Sequence, residues 1–324
     1  MIYPFIFKTI FRDKIWGGDK IKSVLGKEFF PLPNCGETWE ISGLEDFPSE
    51  LSNGFLAKNT LPELVEVYMG DLVGEKVFDK YGNNFPLLIK FIDAADRLSL
   101  QVHPNDEYAQ KQGFTNGKTE MWYILAAEKN ANINIGFKEP VNQNIIEKHI
   151  KNGTLEKILN EIPVHAGDAF FIPAGTVHAI GKGILLAEIQ QSADLTYRLY
   201  DYNRKDKNGL LRELHIEDAL QSIDYHSVSN SKITYRKQKN QTSNILTCPQ
   251  FVVNYMDFDV NVEKIYADVD SFVIYICTEG GVHLQTTDNE LCIHKGDCVL
   301  LPAIYEQVTL SPEPRCELLE VYMP

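Results

Sequence analysis

Residues 167–178 read GDAFFIPAGTVH and say more about the fold than any other stretch of the 324-residue chain. A Gly-Asp turn leads into the apolar run AFFI, which Pro173 ends, and a Pro-x-Gly turn follows. Apolar runs of this length between turn residues are typical of buried strands, and proline cannot continue the hydrogen-bond ladder of a central strand. The second turn then places His178 where its side chain can point into the mouth of a barrel.

The same pattern occurs a second time, because residues 296–303 read GDCVLLPA. Short apolar or aromatic runs separated by turn residues also fill most of the chain, which predicts a mainly β protein built from sandwiches or barrels. Examples are PLLIKFIDA, RLSLQVHP, TEMWYILAA, GILLAEIQQ and FVIYICTEG. The repeat therefore predicts two barrels. The second copy has Gln307 where the first has His178, so only the first is expected to keep a histidine there.

Three segments instead carry apolar residues at intervals of three and four, which predicts helices. They are residues 60–81, 142–162 and 215–223. Because they lie between groups of strands, we interpret them as helical insertions that decorate a β core. A polar stretch at 227–245 is the best candidate for a domain boundary, and it divides the chain into domains at 1–230 and 231–324.

The composition argues against several classes of partner. Lys and Arg total 31 against 45 Asp and Glu, and the formal net charge of −14 would repel a nucleic-acid backbone. An anionic small substrate would therefore need a locally basic pocket. No stretch reaches the roughly 18 uncharged apolar residues of a membrane helix, and the first residues lack the features of a signal peptide, so we expect no membrane partner and a cytoplasmic location. The sequence leaves the oligomeric state open.

The six cysteines show no C-x-x-C spacing, and most lie in strand-like apolar runs such as LCIHKGDCVLL. This placement favours reduced, buried thiols over disulfides or a thiolate metal site.

Four residues form a candidate metal site: Gln101, His103, Glu120 and His178. Residues two apart in a strand point to the same side, so Gln101 and His103 would present an amide oxygen and an imidazole together. Glu120 would add a carboxylate from a neighbouring strand, and His178 a second imidazole. Such a mixed nitrogen and oxygen set suits zinc and leaves room for water or substrate, as in a catalytic site. Each residue alone is weak evidence for a metal site, so the prediction depends on the four residues together.

The spacing G-x5-P-x-G-x2-H at 167–178 matches the second motif of the cupin superfamily. Gln101-x-His103 followed by Glu120 resembles the first motif, with its leading histidine replaced. We therefore expect two cupin-type, jelly-roll β-barrels with helical insertions. Cupin oxygenases commonly use three histidines and one glutamate around redox-active iron or manganese, so the glutamine indicates a redox-silent site.

Four further motifs narrow the resemblance to one family. They are GETWEIS at 36–42, LQVHP at 100–104, KTEMWY at 118–123 and QQSADLTYRLYDY at 190–202. In this order they resemble the type I mannose-6-phosphate isomerases, especially the short bacterial form, from WGG at 16–18 to about residue 220. Residues 1–230 would then be the catalytic cupin domain, and residues 231–324 a degenerate cupin-like domain without a metal site.

The resemblance implies zinc-dependent interconversion of mannose 6-phosphate and fructose 6-phosphate, with one zinc ion per chain and a small-molecule hexose phosphate as the partner. A proton would move between C2 and C1 through a cis-enediolate. The same resemblance maps the metal ligands onto the four residues above, and it places Lys118 and Arg198 close to the substrate.

The residues themselves agree with these roles. Lys118 lies two positions before Glu120 and would share its face of the strand. Arg198 lies among aromatic residues in TYRLYDY and can donate several directed hydrogen bonds to substrate oxygens, although an ion pair with Asp194 or Asp201 would explain it equally well.

Two buried-looking charges complete the candidate site. Glu188 lies in the apolar run LLAEIQQ, where burial raises a carboxyl pKa, so it is the first candidate for proton transfer. The alternative is a partner that orients a metal-bound histidine or Arg198. Lys90 in LLIKFIDA either faces the pocket and binds substrate or extends its charge to the surface.

Two other functions fit a pair of cupin barrels. One is a metal oxidoreductase or dioxygenase, against which Gln101 and the four motifs argue. The other is a non-catalytic sugar-binding protein, which the full ligand set with Lys118 and Arg198 disfavours. No glycine-rich phosphate loop is present, so phosphate would have to rest on separate Lys, Arg and Ser side chains.

Overall fold

The computed structural model describes residues 2–205, 209–226 and 231–324 and places their strands in three antiparallel sheets. The first sheet runs in the order β1 (Ile10–Arg12), β2 (Glu37–Ser42), β3 (Leu87–Ala94), β10 (Ile184–Gln191), β5 (Glu120–Ala127), β8 (Ala169–Ile172) and β12 (Lys232–Ile233). The second runs in the order β11 (Tyr197–Tyr200), β4 (Leu100–Val102), β9 (His178–Ile180), β6 (Asn132–Phe137) and β7 (Leu159–Pro163).

The third sheet is formed by the C-terminal part of the chain. Its main path is β13 (Gln241–Thr247), β14 (Val252–Phe258), β19 (Gln307–Tyr322), β16 (Val273–Gln285) and β17 (Glu290–His294). Two further strands, β15 (Val262–Ile265) and β18 (Cys298–Leu301), pair with β19 and β16. All seven strand-like runs quoted from the sequence lie on strands, so the prediction of a mainly β fold is confirmed.

The first and second sheets face each other and enclose the first barrel. Side chains from both, such as Trp122 and Leu186 on one and Ile133 and Ile180 on the other, pack in one buried cluster between them. Every residue of β3 and β10 is buried, because the other face of the first sheet packs against the C-terminal part of the chain. Burial on both faces explains why these two strands read as continuous apolar runs.

The third sheet closes around an apolar interior of its own and forms the second barrel. Tyr275, Val282, Leu301 and Leu318 are among its fully buried side chains. The N-terminal segment joins the two barrels, because Phe5 exchanges backbone hydrogen bonds of 2.8 and 2.9 Å with Leu300. The expected pair of cupin-type barrels is therefore present.

The helices are short and lie outside the sheets. They are α1 (Lys20–Ser23), α2 (Leu61–Val73), α3 (Glu75–Tyr81), α4 (Asp106–Lys111), α5 (Gln143–Lys151) and α6 (Ile216–Ser222). Within the described ranges, none is both long and apolar enough to span a membrane. Residues 227–230, at the predicted domain boundary, lie outside the described residues, while β12 pairs with β8 and the third sheet begins at Gln241.

The predicted helix at 142–162 is only partly correct. The α-helix ends at Lys151, Leu155–Ile158 form a 3-10 turn, and Leu159–Pro163 form strand β7. Gly153 with φ of 62° ends the helix, because the left-handed conformation cannot continue it. Apolar residues spaced by three in the following turn and strand imitate the period of a helix.

Helix α3 begins against the second barrel. Its first two free backbone N–H groups, of Glu75 and Lys76, donate to the two carboxylate oxygens of Asp270 at 2.7 and 3.1 Å. The N-terminal amides of a helix have no partner within the helix, and a carboxylate is a favourable acceptor for them. Asp270 thus fixes the helical insertion to the C-terminal part of the chain.

Asp270→Ala should lower the free energy of unfolding by about 1 kcal/mol, the usual cost of removing a helix cap. Asp270→Asn keeps one oxygen acceptor and should cost less. Urea denaturation of these variants, beside Asp268→Ala as a control at a neighbouring exposed aspartate, measures the difference. Equal stability of Asp270→Ala and the control would show that this cap contributes nothing.

Candidate metal centre and substrate cavity

Strand pairing brings the predicted site residues of the second sheet into one row. Arg198 on β11 lies opposite Gln101 on β4, and Gln101 lies opposite His178 on β9. Side chains of directly opposed residues point to the same face of a sheet. Three residues that are far apart in the chain therefore point into the barrel together.

The first sheet supplies a second row on the facing wall. Lys90 on β3 lies opposite Glu188 on β10, which lies opposite Trp122 on β5. Glu120 begins β5 two residues before Trp122 and so shares its face. Lys90 is only 3% exposed, so its charge faces the interior and does not extend to the surface.

The predicted metal ligands converge on the Glu120 carboxylate. His103 Nε2 lies 3.3 Å from Glu120 Oε2, and His178 Nε2 lies 3.4 Å from Glu120 Oε1. Lys118 Nζ lies 3.2 Å from Glu120 Oε2. The two histidines and the glutamate are buried, and one ligand atom from each lies within 4.8 Å of the others.

The turn at Gly175 holds both histidines in place. Gly175 has φ of +87°, which favours glycine, and its N–H donates to the His103 carbonyl at 2.8 Å. His178 Nδ1 lies 2.9 Å from the Thr176 carbonyl, which can only accept, so Nδ1 carries the proton. The lone pair of His178 is therefore on Nε2, the atom that faces Glu120.

Gln101 lies beside this group, with its amide nitrogen 3.2 Å from His178 Nε2 and its oxygen 3.1 Å from Ser99 Oγ. Rotating the amide by half a turn exchanges the two atoms. The Ser99 hydroxyl can accept as well as donate a hydrogen bond, so this rotation keeps a hydrogen bond to Ser99 and turns the oxygen toward the histidines.

Burial and neighbouring charges lower the pKa values of the three predicted ligands His103, Glu120 and His178. Burial, reinforced by the Lys118 ammonium, lowers the pKa of His103 to about 3, and burial also lowers the pKa of His178. Burial, the largest single influence, would raise the pKa of Glu120, but Lys118, His103 and His178 together outweigh it and hold that pKa well below its usual value. At neutral pH the three ligands are thus neutral imidazoles and a carboxylate, the forms that bind metal.

The pKa values of Lys118 and Glu188 are raised, whereas those of the three ligands are lowered. Burial would lower the pKa of Lys118, but the carboxylates of Glu120 and Glu188 outweigh it and raise that pKa, so Lys118 stays an ammonium. Burial, reinforced by the Glu120 charge, raises the pKa of Glu188. Glu188 Oε1 accepts a 3.0 Å hydrogen bond from Trp122 Nε1, and its Oε2 lies 3.4 Å from Lys90 Nζ.

Lys90, Lys118 and Glu188 line a cavity that is basic, although the chain as a whole is acidic. Its lining includes five cationic side chains against three carboxylates. The cations are Lys14, Lys90, Lys118, Arg198 and Arg212, and the carboxylates are Glu37, Glu188 and Asp194. The local excess of positive charge is the pocket that an anionic substrate requires in a protein of net charge −14.

A larger cleft of about 400 Å³ lies beside this cavity and shares Asp194 with it. Its lining contains no histidine, lysine or arginine, and it includes the carboxylates of Glu45, Asp46 and Asp194. Because these charges would repel a phosphate, the smaller cavity is the candidate site.

Arg198 faces the cavity without a carboxylate partner among the residues that the structure describes. Asp201, one of the two alternatives, forms its ion pairs with Arg204 and Arg212 instead. Asp194, the other alternative, is exposed and acts on Arg198 only at longer range. The guanidinium is therefore available to a ligand.

Sequence reasoning missed several residues of the cavity. Lys14 contacts Glu37 at 3.1 Å, and Glu37 also accepts from Trp39 Nε1 at 2.9 Å. Glu37 lies within the GETWEIS motif and Lys14 lies two residues before the WGG motif, but neither residue was assigned a role from the sequence. Arg212 follows the recognised motifs, and no pattern marks it.

The residues present fit a divalent metal ion. Neither ring nitrogen of His103 and neither oxygen of Glu120 has a hydrogen-bond partner, although all four atoms are buried. Buried polar atoms are normally satisfied, and two imidazoles with a carboxylate form a typical zinc ligand set. Gln101, His103, Glu120 and His178 would hold the ion.

The comparisons with known proteins agree across nearly the whole chain. A family model of the type I phosphomannose isomerase catalytic domain matches residues 5–148. Mannose-6-phosphate isomerase ManA of Bacillus subtilis is 35% identical over 305 residues, which cover 92% of this chain and 93% of the relative. The mannose-6-phosphate isomerase of Streptococcus mutans is 33% identical, with 93% of each chain covered.

Solved structures give the same result. The crystal structure of mannose 6-phosphate isomerase from Bacillus subtilis aligns with a TM-score of 0.88 at 33% identity, over 98% of this chain and 99% of that chain. A phosphomannose isomerase variant from Salmonella typhimurium aligns with a TM-score of 0.80 over 99% of each chain. At 16% identity, the second comparison supports the fold alone.

The fold and the site define a two-barrel cupin protein with a metal-type ligand group in its first barrel. Identity above 30% over nine-tenths of the chain adds the family. The chain belongs to the type I mannose-6-phosphate isomerases, which are metal-dependent, and it is an aldose–ketose isomerase by class.

The buried pair of Lys90 and Glu188 yields a stability prediction. Lys90→Met removes the ammonium and leaves a buried carboxylate, which should lower the free energy of unfolding at pH 8 by about 3 kcal/mol. Because the variant raises the pKa of Glu188 further, its stability should fall as pH rises above the unfolded-state glutamate pKa of about 4.3. The loss should therefore be smaller at pH 5.

Urea denaturation at both pH values measures the effect, and the double variant Lys90→Met with Glu188→Gln is the matched control. It should recover much of the stability at pH 8, because no charge is left unpaired. A loss that is independent of pH and unchanged in the double variant would mean that packing of the Lys90 stem, not its charge, is what matters.

Proposed function

We propose that this chain interconverts mannose 6-phosphate and fructose 6-phosphate with one zinc ion in its first barrel. The observation that carries the proposal is that the buried group of His103, Glu120 and His178 contacts Gln101 and Lys118, two side chains that line a cavity with excess positive charge. The relatives above are mannose-6-phosphate isomerases by name, which supplies the substrate.

Isomerisation moves a proton between C1 and C2 of the sugar through a cis-enediolate, and negative charge develops on the two oxygens. A zinc ion held by the four ligands would act as a Lewis acid that stabilises this charge. The ammonium of Lys118, which its carboxylate neighbours keep protonated, donates hydrogen bonds from the same side. The half-buried guanidinium of Arg198 donates from the facing sheet.

Glu188 is the proposed proton carrier. Its raised pKa brings the carboxyl toward the range in which it can take and return a proton near neutral pH. Its hydrogen bond from Trp122 and its contact with Lys90 fix its position in the cavity wall. Lys90 would bind substrate and keep Glu188 from becoming too basic to release the proton.

The phosphate is proposed to bind at the more exposed cations of the cavity. Lys14 and Arg212 have side chains that are 26% and 21% exposed, whereas those of Lys90 and Lys118 are 4% and 5% exposed. A dianion can keep part of its hydration at such a position and still form charge-assisted hydrogen bonds. The buried cations then remain for the sugar oxygens.

We further propose that residues 1–230 form the catalytic domain and that residues 231–324, which apart from β12 form the second barrel, hold no metal in the barrel interior. Gln307, which stands where His178 stands in the first repeat, is exposed. The interior of the second barrel is filled by apolar and tyrosine side chains such as Tyr275 and Leu318.

The proposed activity is tested with a coupled assay on zinc-loaded protein, in which mannose 6-phosphate should yield fructose 6-phosphate. His103→Ala removes one ligand and should lose both zinc, measured by elemental analysis, and turnover. His226→Ala, at an exposed histidine outside the cavity, should keep both. Failure of the zinc-loaded protein to form fructose 6-phosphate, or oxygen consumption with stoichiometric iron, would refute the proposal.

Arg198→Ala should keep zinc but lower kcat by roughly a hundredfold or more, the usual cost of removing a donor to developing negative charge. Arg198→Lys keeps the charge without the planar fork and should recover only part of the rate. Arg315→Ala, at an exposed arginine of the second barrel, is the matched control with unchanged kcat. A kcat within a few fold of the parent enzyme for Arg198→Ala would exclude the role assigned to this residue.

A further inference from the structure

A second group of metal-ligating side chains lies on the outer face of the second barrel. His283 belongs to β16, Cys292 and His294 to β17, and Glu313 to β19. Their neighbours in sequence, such as Val282 and Ile293, point into the apolar interior, so these side chains point outward. All four are partly exposed, and they lie far in the chain from the ligands of the first barrel.

Ligand atoms of His283, Cys292 and Glu313 lie close to one another, and His294 contacts two of these three side chains, Cys292 and Glu313. His283 Nε2 contacts Glu313 Oε1, and His294 Nε2 lies 3.4 Å from Glu313 Oε2. Cys292 Sγ lies 3.7 Å from His294 Nε2 and 3.7 Å from Glu313 Oε1. Ligand atoms of His283, Cys292 and Glu313 all lie within 4.8 Å of one another.

Three of these spacings match those between the ligands of a tetrahedral metal site, whereas His283 and Glu313 contact each other more closely and would have to move apart to bind one ion. Bonds from zinc to nitrogen, oxygen and sulfur are about 2.0 to 2.3 Å, and tetrahedral geometry separates ligand atoms by about 1.6 times the bond length, or roughly 3.3 to 3.8 Å. The contacts of 3.4, 3.7 and 3.7 Å fall in this range. Two imidazoles, a thiolate and a carboxylate are also ligands that zinc accepts together.

Two further features support a ligand at this place. The second ring nitrogen of His283, Nδ1, lies 3.5 Å from the Glu290 carboxylate, and metal-binding histidines usually donate their other N–H to such a group. Gly281 lies opposite His294 in the strand register. A Cβ at Gly281 would approach His294 Cδ2 to 2.9 Å and Glu313 Oε2 to 3.2 Å, so the glycine leaves the space that both side chains occupy.

We propose that His283, Cys292, His294 and Glu313 bind a second divalent transition metal ion of the zinc class. The proposal departs from the sequence-based expectation of one ion per chain and of a second domain without metal. That expectation rested on the Gln307 position, whereas these ligands lie elsewhere in the sheet, on β16, β17 and a later part of β19. It is independent of the proposed activity, because none of the four residues lines the substrate cavity.

Four protein ligands would close the coordination sphere, which is the arrangement of structural zinc sites and not of catalytic ones. The ion would tie together β16, β17 and β19, of which β17 is the last strand on its side of the sheet. Its removal should therefore loosen this edge of the second barrel and leave the chemistry in the first barrel unchanged.

Cobalt(II) titration distinguishes the two sites, because only the second contains sulfur. The metal-stripped protein should bind two cobalt ions per chain, and one of them should produce near-ultraviolet thiolate-to-cobalt charge-transfer absorption. Cys292→Ser should abolish this band and reduce the stoichiometry to one ion, while turnover in the coupled assay stays unchanged. His283→Ala should weaken cobalt binding at this site by tenfold or more.

Two controls keep the result unambiguous. His103→Ala empties the first barrel, so the remaining ion should still show the thiolate band in full. His165→Ala, at an exposed histidine of the first barrel, should keep both ions and the band. Saturation of the parent protein at one cobalt ion without the band, or an unchanged band in Cys292→Ser, would overturn the proposal, even if the isomerase activity is confirmed.

Discussion

The carboxylate of Glu120 is the constraint around which the first barrel is built. It is fully buried, and burial of an ionised carboxylate is costly unless positive charge lies next to it. Lys118 supplies one positive charge at 3.2 Å. His178 turns the lone pair of Nε2 toward the other oxygen at 3.4 Å, which would be repulsive unless a cation accepts both. The electrostatics of the site and the chemistry of its ligands therefore both suit a metal ion.

The second barrel solves the same problem without a metal. Glu320 is also buried, at 1% exposure, but its carboxylate accepts from Asn254 at 2.8 Å, pairs with Lys264 at 2.9 Å and contacts the Tyr266 hydroxyl. Its oxygens are thus satisfied by protein groups, and the rest of the interior is filled by apolar side chains. The two barrels therefore differ in how they compensate a buried carboxylate. The cavity with five cationic side chains belongs to the first barrel.

The sequence predicted the mainly β fold because strand periodicity is a local signal. Gln101 and His103 share a face by spacing alone, and the motif around His178 carries the turn that holds it. The register that puts Arg198 opposite Gln101 and Glu188 opposite Lys90 is a long-range property. The family resemblance placed Arg198 near the site, and the pairing of Glu188 with Lys90 was not predicted.

The incorrect helix prediction and the missed cavity residues also have physical causes. Residues 142–162 carry a helical period, but Gly153 interrupts it, and the apolar spacing that follows comes from a turn and strand β7. Lys14 and Arg212 reach the cavity from loops, where no period constrains the side chain.

The surroundings of one cysteine could likewise not be predicted from the sequence pattern. Apolar surroundings and the lack of C-x-x-C spacing favoured inert thiols, and five of the six are buried. The sixth, Cys292, shares its apolar run with Cys298 but lies on the outward face of β17, where strand pairing brings it beside His283. A ligand set assembled across three strands leaves no spacing in the sequence, because its geometry comes from register. Clusters of this kind become visible only when the sheet is built.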